Sequence, residues 1–172
     1  MDSPRNLVLV GFMGTGKSAV GRRVAAMARA PFLEMDAELE RRAGKSIARI
    51  FAEDGEPAFR DMESRLAEEW GRKEGAVVSC GGGVVLREAN LRALGANGLL
   101  VCLTARPETI LARTARSQKR PLLAGEDPEK KIRDLLAVRA PYYAGIPVQI
   151  DTSDLGTEEL AARILARWKQ PD

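Results

Sequence analysis

Short apolar runs alternate along the chain with longer stretches in which apolar residues recur every three to four positions, and this alternation sets the expected architecture. The runs Leu7 to Gly11, Pro31 to Met35, Ala76 to Ser79, Leu99 to Leu103 and Val148 to Ile150 read as strands. Between them Val20, Val24 and Met27 fall on one helical face, as do Met62, Leu66 and Trp70. Leu160, Ile164 and Trp168 repeat the spacing near the end. Asp127 followed by Pro128 has the form of an N-cap and a first-turn proline, and that helix should stop before Gly145 and Pro147. Strands alternating with helices predict an α/β protein built on a five-stranded parallel sheet with helices on both faces.

Two segments break the alternation. Residues 43–60, "AGKSIARIFAEDGEPAFR", read as a helix–glycine turn–helix insertion, and residues 113–126, "RTARSQKRPLLAGE", as a basic mobile loop. No internal repeat or low-complexity linker divides the chain, so residues 1–172 are expected to form a single domain.

Composition narrows the class without choosing a function. The chain has 172 residues, 45% of them hydrophobic, which is enough for one sizeable core. A net charge of +3, dispersed among acidic residues, gives no footing for a nucleic-acid partner. Cys80 and Cys102 both sit in apolar runs, which suits small core residues in a reducing compartment better than a disulfide. The opening "MDSPRN" has no signal-like apolar core, and no run approaches the ~20 residues needed to span a bilayer. A cytoplasmic monomer with no membrane partner is expected. The chain has no histidine, so any general base must be a carboxylate, a lysine, a tyrosine or a cysteine.

The chemistry concentrates at "GFMGTGKS", residues 11–18. This is the complete P-loop pattern, placed between an apolar strand and an amphipathic helix. Its glycines let backbone amides turn inward around phosphate oxygens, and the helix opening near Lys17 adds its positive dipole end. Gly14, Thr15, Gly16, Lys17, Ser18 and Ala19 are therefore expected to bind a nucleoside triphosphate. Lys17 would reach the β- and γ-phosphates, and the Ser18 hydroxyl would take a Mg²⁺ position.

Open parallel sheets bind ligands outside the carboxyl ends of their strands. The second strand delivers Glu34 and Asp36 there, and the third delivers Gly81-Gly82-Gly83. Asp36 could cap a helix, or it could accept a hydroxyl proton from a phosphoryl acceptor, as a kinase carboxylate does. Glu34 could hold a water on Mg²⁺. The triple glycine could be a plain turn, or it could let backbone amides approach a small substrate or the γ-phosphate closely.

Five patterns in order now identify a resemblance. They are "GFMGTGKS"; "EMD" followed by "GKSIARIFAEDGEPAFRDME"; "SCGGGVV"; "KRPLL"; and "RAPYY", running together from residue 11 to 143. The chain resembles the shikimate kinases. That resemblance implies a P-loop NTPase fold of the nucleoside-monophosphate-kinase type, with residues 37–62 as the shikimate-binding helical insertion and 113–126 as the lid. It implies transfer of the γ-phosphate of Mg²⁺-bound ATP to the 3-hydroxyl of shikimate, with shikimate and ATP as the small-molecule partners. On this pattern Asp36 binds the acceptor hydroxyls and serves as base, while Arg60 and Arg139 hold the shikimate carboxylate with Gly82 close by. Glu63 orients Arg60 from three residues further along a helix. Arg120 closes over the transferring phosphate with Lys17, and Arg113 packs on the adenine. Tyr142 and Tyr143 are expected to pack at a helix end. The chain departs from the family's usual D-x-D by carrying Glu34-Met35-Asp36, so Mg²⁺ would rest on Ser18 plus waters held by Glu34 or Ser79. Rival expectations from the P-loop are a gluconate-type kinase of the same fold and a non-catalytic, nucleotide-operated binding module.

Overall fold

A computed structural model describes residues 5–115 and 127–170. Its sheet has five strands, β1 (Asn6–Gly11), β2 (Phe32–Glu34), β3 (Val77–Ser79), β4 (Gly98–Thr104) and β5 (Val148–Asp151), in the order β2-β3-β1-β4-β5. Every pairing is parallel. All of β1 is buried because it stands at the centre with both faces covered. Successive side chains of a strand point to opposite faces. Accordingly Val8 and Val10 join one core with Met35, Leu39, Leu66 and Ile132, while Leu7 and Leu9 join the other with Val20, Val24, Leu160 and Ile164.

The helices that cover these faces are α1 (Lys17–Ala28), α2 (Met35–Ala43), α3 (Ile47–Glu53), α4 (Glu56–Gly71), α5 (Glu88–Gly95), α6 (Pro107–Thr114), α7 (Pro128–Ala144) and α8 (Thr157–Trp168). Among the described residues no helix is long and apolar enough to cross a membrane. The chain leaves β1 toward β2 but leaves β3 toward β4, on the far side of β1. The loops after these two adjacent strands therefore diverge, which is the switch point where open parallel sheets bind ligands.

Local chemistry sets the element ends. Ser46 caps α3 by accepting from the Arg49 amide, and Asp127 caps α7 by accepting from the Lys130 amide, with Pro128 following it. The expected insertion is α3, the turn at Gly55 and the start of α4. Three expectations change. Arg113 and Thr114, expected to open the basic loop, instead form the last turn of α6. Met27 is 39% exposed, because the buried stripe of α1 runs through Val20, Gly21, Val24 and Ala25. A Cβ on Gly21 would lie 2.8 Å from the Phe32 ring, so the helix seats on this bare position and turns Met27 away from the sheet. The strand expected to run to Met35 ends at Glu34, and Met35 opens α2 directly. Asp36 thus lies in the first turn of a helix, where the dipole favours a carboxylate.

Candidate active site

The loop after β1 bends through Gly16, whose φ of 97° lies where an L side chain would be strained, and α1 starts at the next residue. Several loop carbonyls are engaged. Lys17 Nζ donates to the carbonyls of Gly11 (2.7 Å) and Phe12 (2.9 Å), and Thr15 Oγ1 donates to that of Phe12 (2.8 Å). Lys17 is buried, so its ammonium is fixed beside the loop and does not sweep through solvent. Gly14, Gly16, Lys17, Ser18 and Ala19 line a cleft of about 710 Å³ together with Glu34, Asp36, Gly81, Gly82 and Arg113. That volume is in the range of small-ligand sites. Phosphate loop and strand-end carboxylate share one cavity.

At the open end of the loop, oxygen donors gather. Ser18 Oγ donates to Glu34 Oε1 at 2.6 Å and lies 3.4 Å from Ser79 Oγ, while Arg22 donates to the other Glu34 oxygen. Hydroxyl and carboxylate oxygens suit Mg²⁺, which keeps several waters and takes few protein ligands. Among the described residues no cluster of three or more His, Cys, Asp or Glu could cage a metal. The donor set fits Mg²⁺, and Ser79 belongs to it.

The triple glycine is a contact surface for charge. A Cβ on Gly81 would stand 2.8 Å from Asp36 Oδ1 and 2.9 Å from Glu63 Oε2, so carboxylates from α2 and α4 converge on its bare backbone. A Cβ on Gly83 would stand 2.2 Å from Arg60 Nη1, so that guanidinium lies against the glycine. Arg139 Nη1 faces Gly82. A side chain at Gly81 or Gly83 would have to displace these charged groups. Asp36 is not the cap of α2: that position is Glu34, whose carboxylate is taken by Ser18 and Arg22.

Arg60, Glu63 and Arg139 are all buried. Arg60 donates to Glu63 Oε1 at 3.0 Å and also to Glu56, so Glu63 orients the guanidinium from one helical turn away. Arg139 has no carboxylate within ion-pair distance among the described residues and lies 5.8 Å from the centre of the Phe12 ring. A buried guanidinium is costly unless an anion faces it; Glu63 and Glu56 face Arg60, whereas Arg139 could receive the carboxylate of a ligand.

Burial pushes the Glu63 carboxyl up to about 7, partly offset by Arg60 and reinforced by the Asp36 charge. Its Oε2 accepts no hydrogen bond among the described residues. An unfolded glutamate releases its proton near 4.5, so folding takes up a proton between that value and about 7. The contribution of Glu63 to stability is then full below 4.5 and is lost as pH rises through about 7. Glu63→Gln should flatten that part of the curve of Tm against pH, measured by thermal melts from about pH 5 to 8. A curve unchanged by the substitution would mean that Glu63 is ionised throughout.

Burial also raises both thiols, Cys102 to about 11 and Cys80 further, which leaves them inert core residues as expected. Tyr143 does more than pack at a helix end: its hydroxyl donates to the Gly82 carbonyl at 2.6 Å and fixes the glycine wall from α7. Tyr142 is exposed. Arg113 has the edges of its guanidinium bound to the Gly14 carbonyl and to Thr152, a buried residue that the sequence did not single out. Arg120, like all of 116–126 in the expected lid, lies outside the described residues.

A family model described as shikimate kinase matches residues 13–169. A curated shikimate kinase of Caldanaerobacter subterraneus subsp. tengcongensis is 44% identical over 164 residues, covering 95% of this chain and 96% of its own. The solved shikimate kinase from Acinetobacter baumannii in complex with shikimate has a TM-score of 0.90 and 38% identity, covering 95% of this chain and 92% of its own. A gluconokinase from Sinorhizobium meliloti, with a TM-score of 0.64, 20% identity and coverage of 98% and 93%, shares the fold alone.

Proposed function

The chain belongs to the shikimate kinase family, and on that premise we propose how its residues divide the transfer of the γ-phosphate of ATP to the 3-hydroxyl of shikimate. The products are shikimate 3-phosphate and ADP, and the step serves chorismate and aromatic amino-acid biosynthesis. One observation supports the division most. Along one triple glycine Asp36 meets Gly81, the buried Arg139 faces Gly82 and the buried Arg60 lies against Gly83, while Asp36, Gly81 and Gly82 line the cleft that also holds the phosphate loop. Shikimate is a ring with a carboxylate at one end and hydroxyls at the other. That polarity matches the wall.

Arg60 and Arg139 hold the shikimate carboxylate, in the charge-assisted geometry that guanidinium forks favour. Asp36 binds the acceptor hydroxyls and takes the proton of the reacting one. The amides of Gly14 to Ala19 cradle the ATP phosphates, and Lys17 neutralises charge on the group in transit. Ser18 would hold Mg²⁺, with Glu34 and Ser79 holding its waters. When bound, Mg²⁺ would supply charge neutralisation at the ATP phosphates. Arg113 meets the adenine with the face of its guanidinium, and Arg120 closes over the phosphate. An inert nucleotide module would use the loop but leave the buried arginines without a task, and the likeness to a gluconokinase, at 20% identity, extends to the fold alone. One chain carries both substrate ends, so a monomer suffices, and we place it in the cytoplasm with its ATP.

A coupled ADP-release assay with and without shikimate tests the reading, with gluconate as the rival acceptor. Arg139→Leu should raise the shikimate KM about 10- to 150-fold, the range for one lost hydrogen bond to a charged group (roughly 1.5–3 kcal/mol), and leave the ATP KM nearly alone. Faster turnover of gluconate, or an unchanged shikimate KM, would remove the acceptor assignment while leaving the kinase fold.

A further inference from the structure

Thr152 is fully buried where the end of β5 meets the phosphate loop, β4 and α6. Its Oγ1 lies 2.7 Å from the Thr15 carbonyl and 3.1 Å from the Thr104 carbonyl, and accepts from Arg113 Nη1 at 3.0 Å. Arg113 also donates to the Thr152 carbonyl (2.8 Å) and, across the loop, to the Gly14 carbonyl (3.1 Å). The Thr152 amide donates to the Thr104 carbonyl at 2.8 Å, so the residue is anchored to the sheet while its hydroxyl reaches the loop.

A trans peptide is planar, so its carbonyl and its N–H point to opposite sides. The Thr15–Gly16 peptide precedes a glycine with φ of 97°, the residue type that resists a peptide flip least. Pulling the Thr15 carbonyl outward therefore aims the Gly16 N–H inward. We infer that Thr152 is a positioning residue for the phosphate loop: it holds the Thr15 carbonyl so that the Gly16 amide faces the ATP phosphates, and through Arg113 it ties α6 to the same loop. This rests on the reading that the loop receives ATP.

The test compares Thr152→Val, which removes the hydroxyl at nearly constant shape, with Thr152→Ser, which keeps the hydroxyl and loses the methyl. The valine variant should raise the ATP KM, and the Kd for ADP measured by calorimetry, about tenfold, on the scale of one lost hydrogen bond that leaves a buried group unpaired. Its shikimate KM should stay within about twofold, and the serine variant should restore nucleotide binding to within about threefold of wild type. Three results overturn the inference: a valine variant equal to wild type, a serine variant as impaired as the valine, or a shikimate KM that rises as far as the ATP KM. Should the valine variant not fold, Thr152→Ala set against Thr152→Ser isolates the hydroxyl in the same way. If alanine fails to fold as well, the hydroxyl supports the fold itself and the inference is lost. Lys17→Met run in parallel separates the premise from the inference: turnover by that variant removes the ATP loop, whereas its inactivity beside a normal valine variant removes Thr152 alone.

Discussion

Lys17→Met should fold like the wild type and release ADP from ATP and shikimate on the order of 10³-fold more slowly, the upper end of what one fixed donor to developing charge contributes. The structure places this side chain where loss of charge and loss of stability come apart. Its stem is buried and its ammonium donates to the carbonyls of Gly11 and Phe12, so methionine fills the same space without the charge. The Phe12 carbonyl keeps the Thr15 hydroxyl as a donor. The Gly11 carbonyl loses its Lys17 donor, a cost of about 1–3 kcal/mol, set against the desolvation of the ammonium that methionine avoids. Thermal melts should therefore differ little, while the coupled assay falls to near background. Near-normal turnover by a folded Lys17→Met protein would show that the ammonium takes no part in the transfer.

How much of this site could be read from the chain depends on how local its geometry is. The phosphate loop is legible because eight consecutive residues specify it: glycines, lysine and serine keep their relation wherever the sheet goes. The strands of the sheet are legible for a similar reason, since a central parallel strand such as β1 is apolar on both faces. Boundaries were less so. Nothing in "PFLEMDAEL" says that the strand hands over to a helix at Met35, because the same residues suit either state until Met35 and Leu39 are buried under the sheet. Gly81 and Gly83 carried a signal but not its meaning, which depends on Asp36, Glu63 and Arg60 arriving from other helices. Thr152 carried none. Its partners Thr15 and Thr104 are 137 and 48 residues away, and a threonine after a short strand is otherwise unremarkable. Met27 misled because helical period alone cannot say where a helix rests, and the bare Gly21 decided it.

Asp36→Asn should lower kcat by about 10²–10⁴, the range for a positioned general base, with a much smaller change in the shikimate KM. Asparagine keeps the shape of the side chain and one acceptor oxygen, so contacts to the acceptor hydroxyls largely persist. What it cannot do is take a proton. The neighbour across Gly81 does not replace it, because Glu63 is held by Arg60 through Oε1. The variant should stay folded and keep its Kd for ADP, which thermal melts and calorimetry would check, so that a lost base is separated from a lost fold. If kcat held and only the shikimate KM rose, Asp36 would bind hydroxyls without accepting the proton. The proton would then leave through the phosphoryl oxygens, a route open to the loose transition state of phosphoryl transfer.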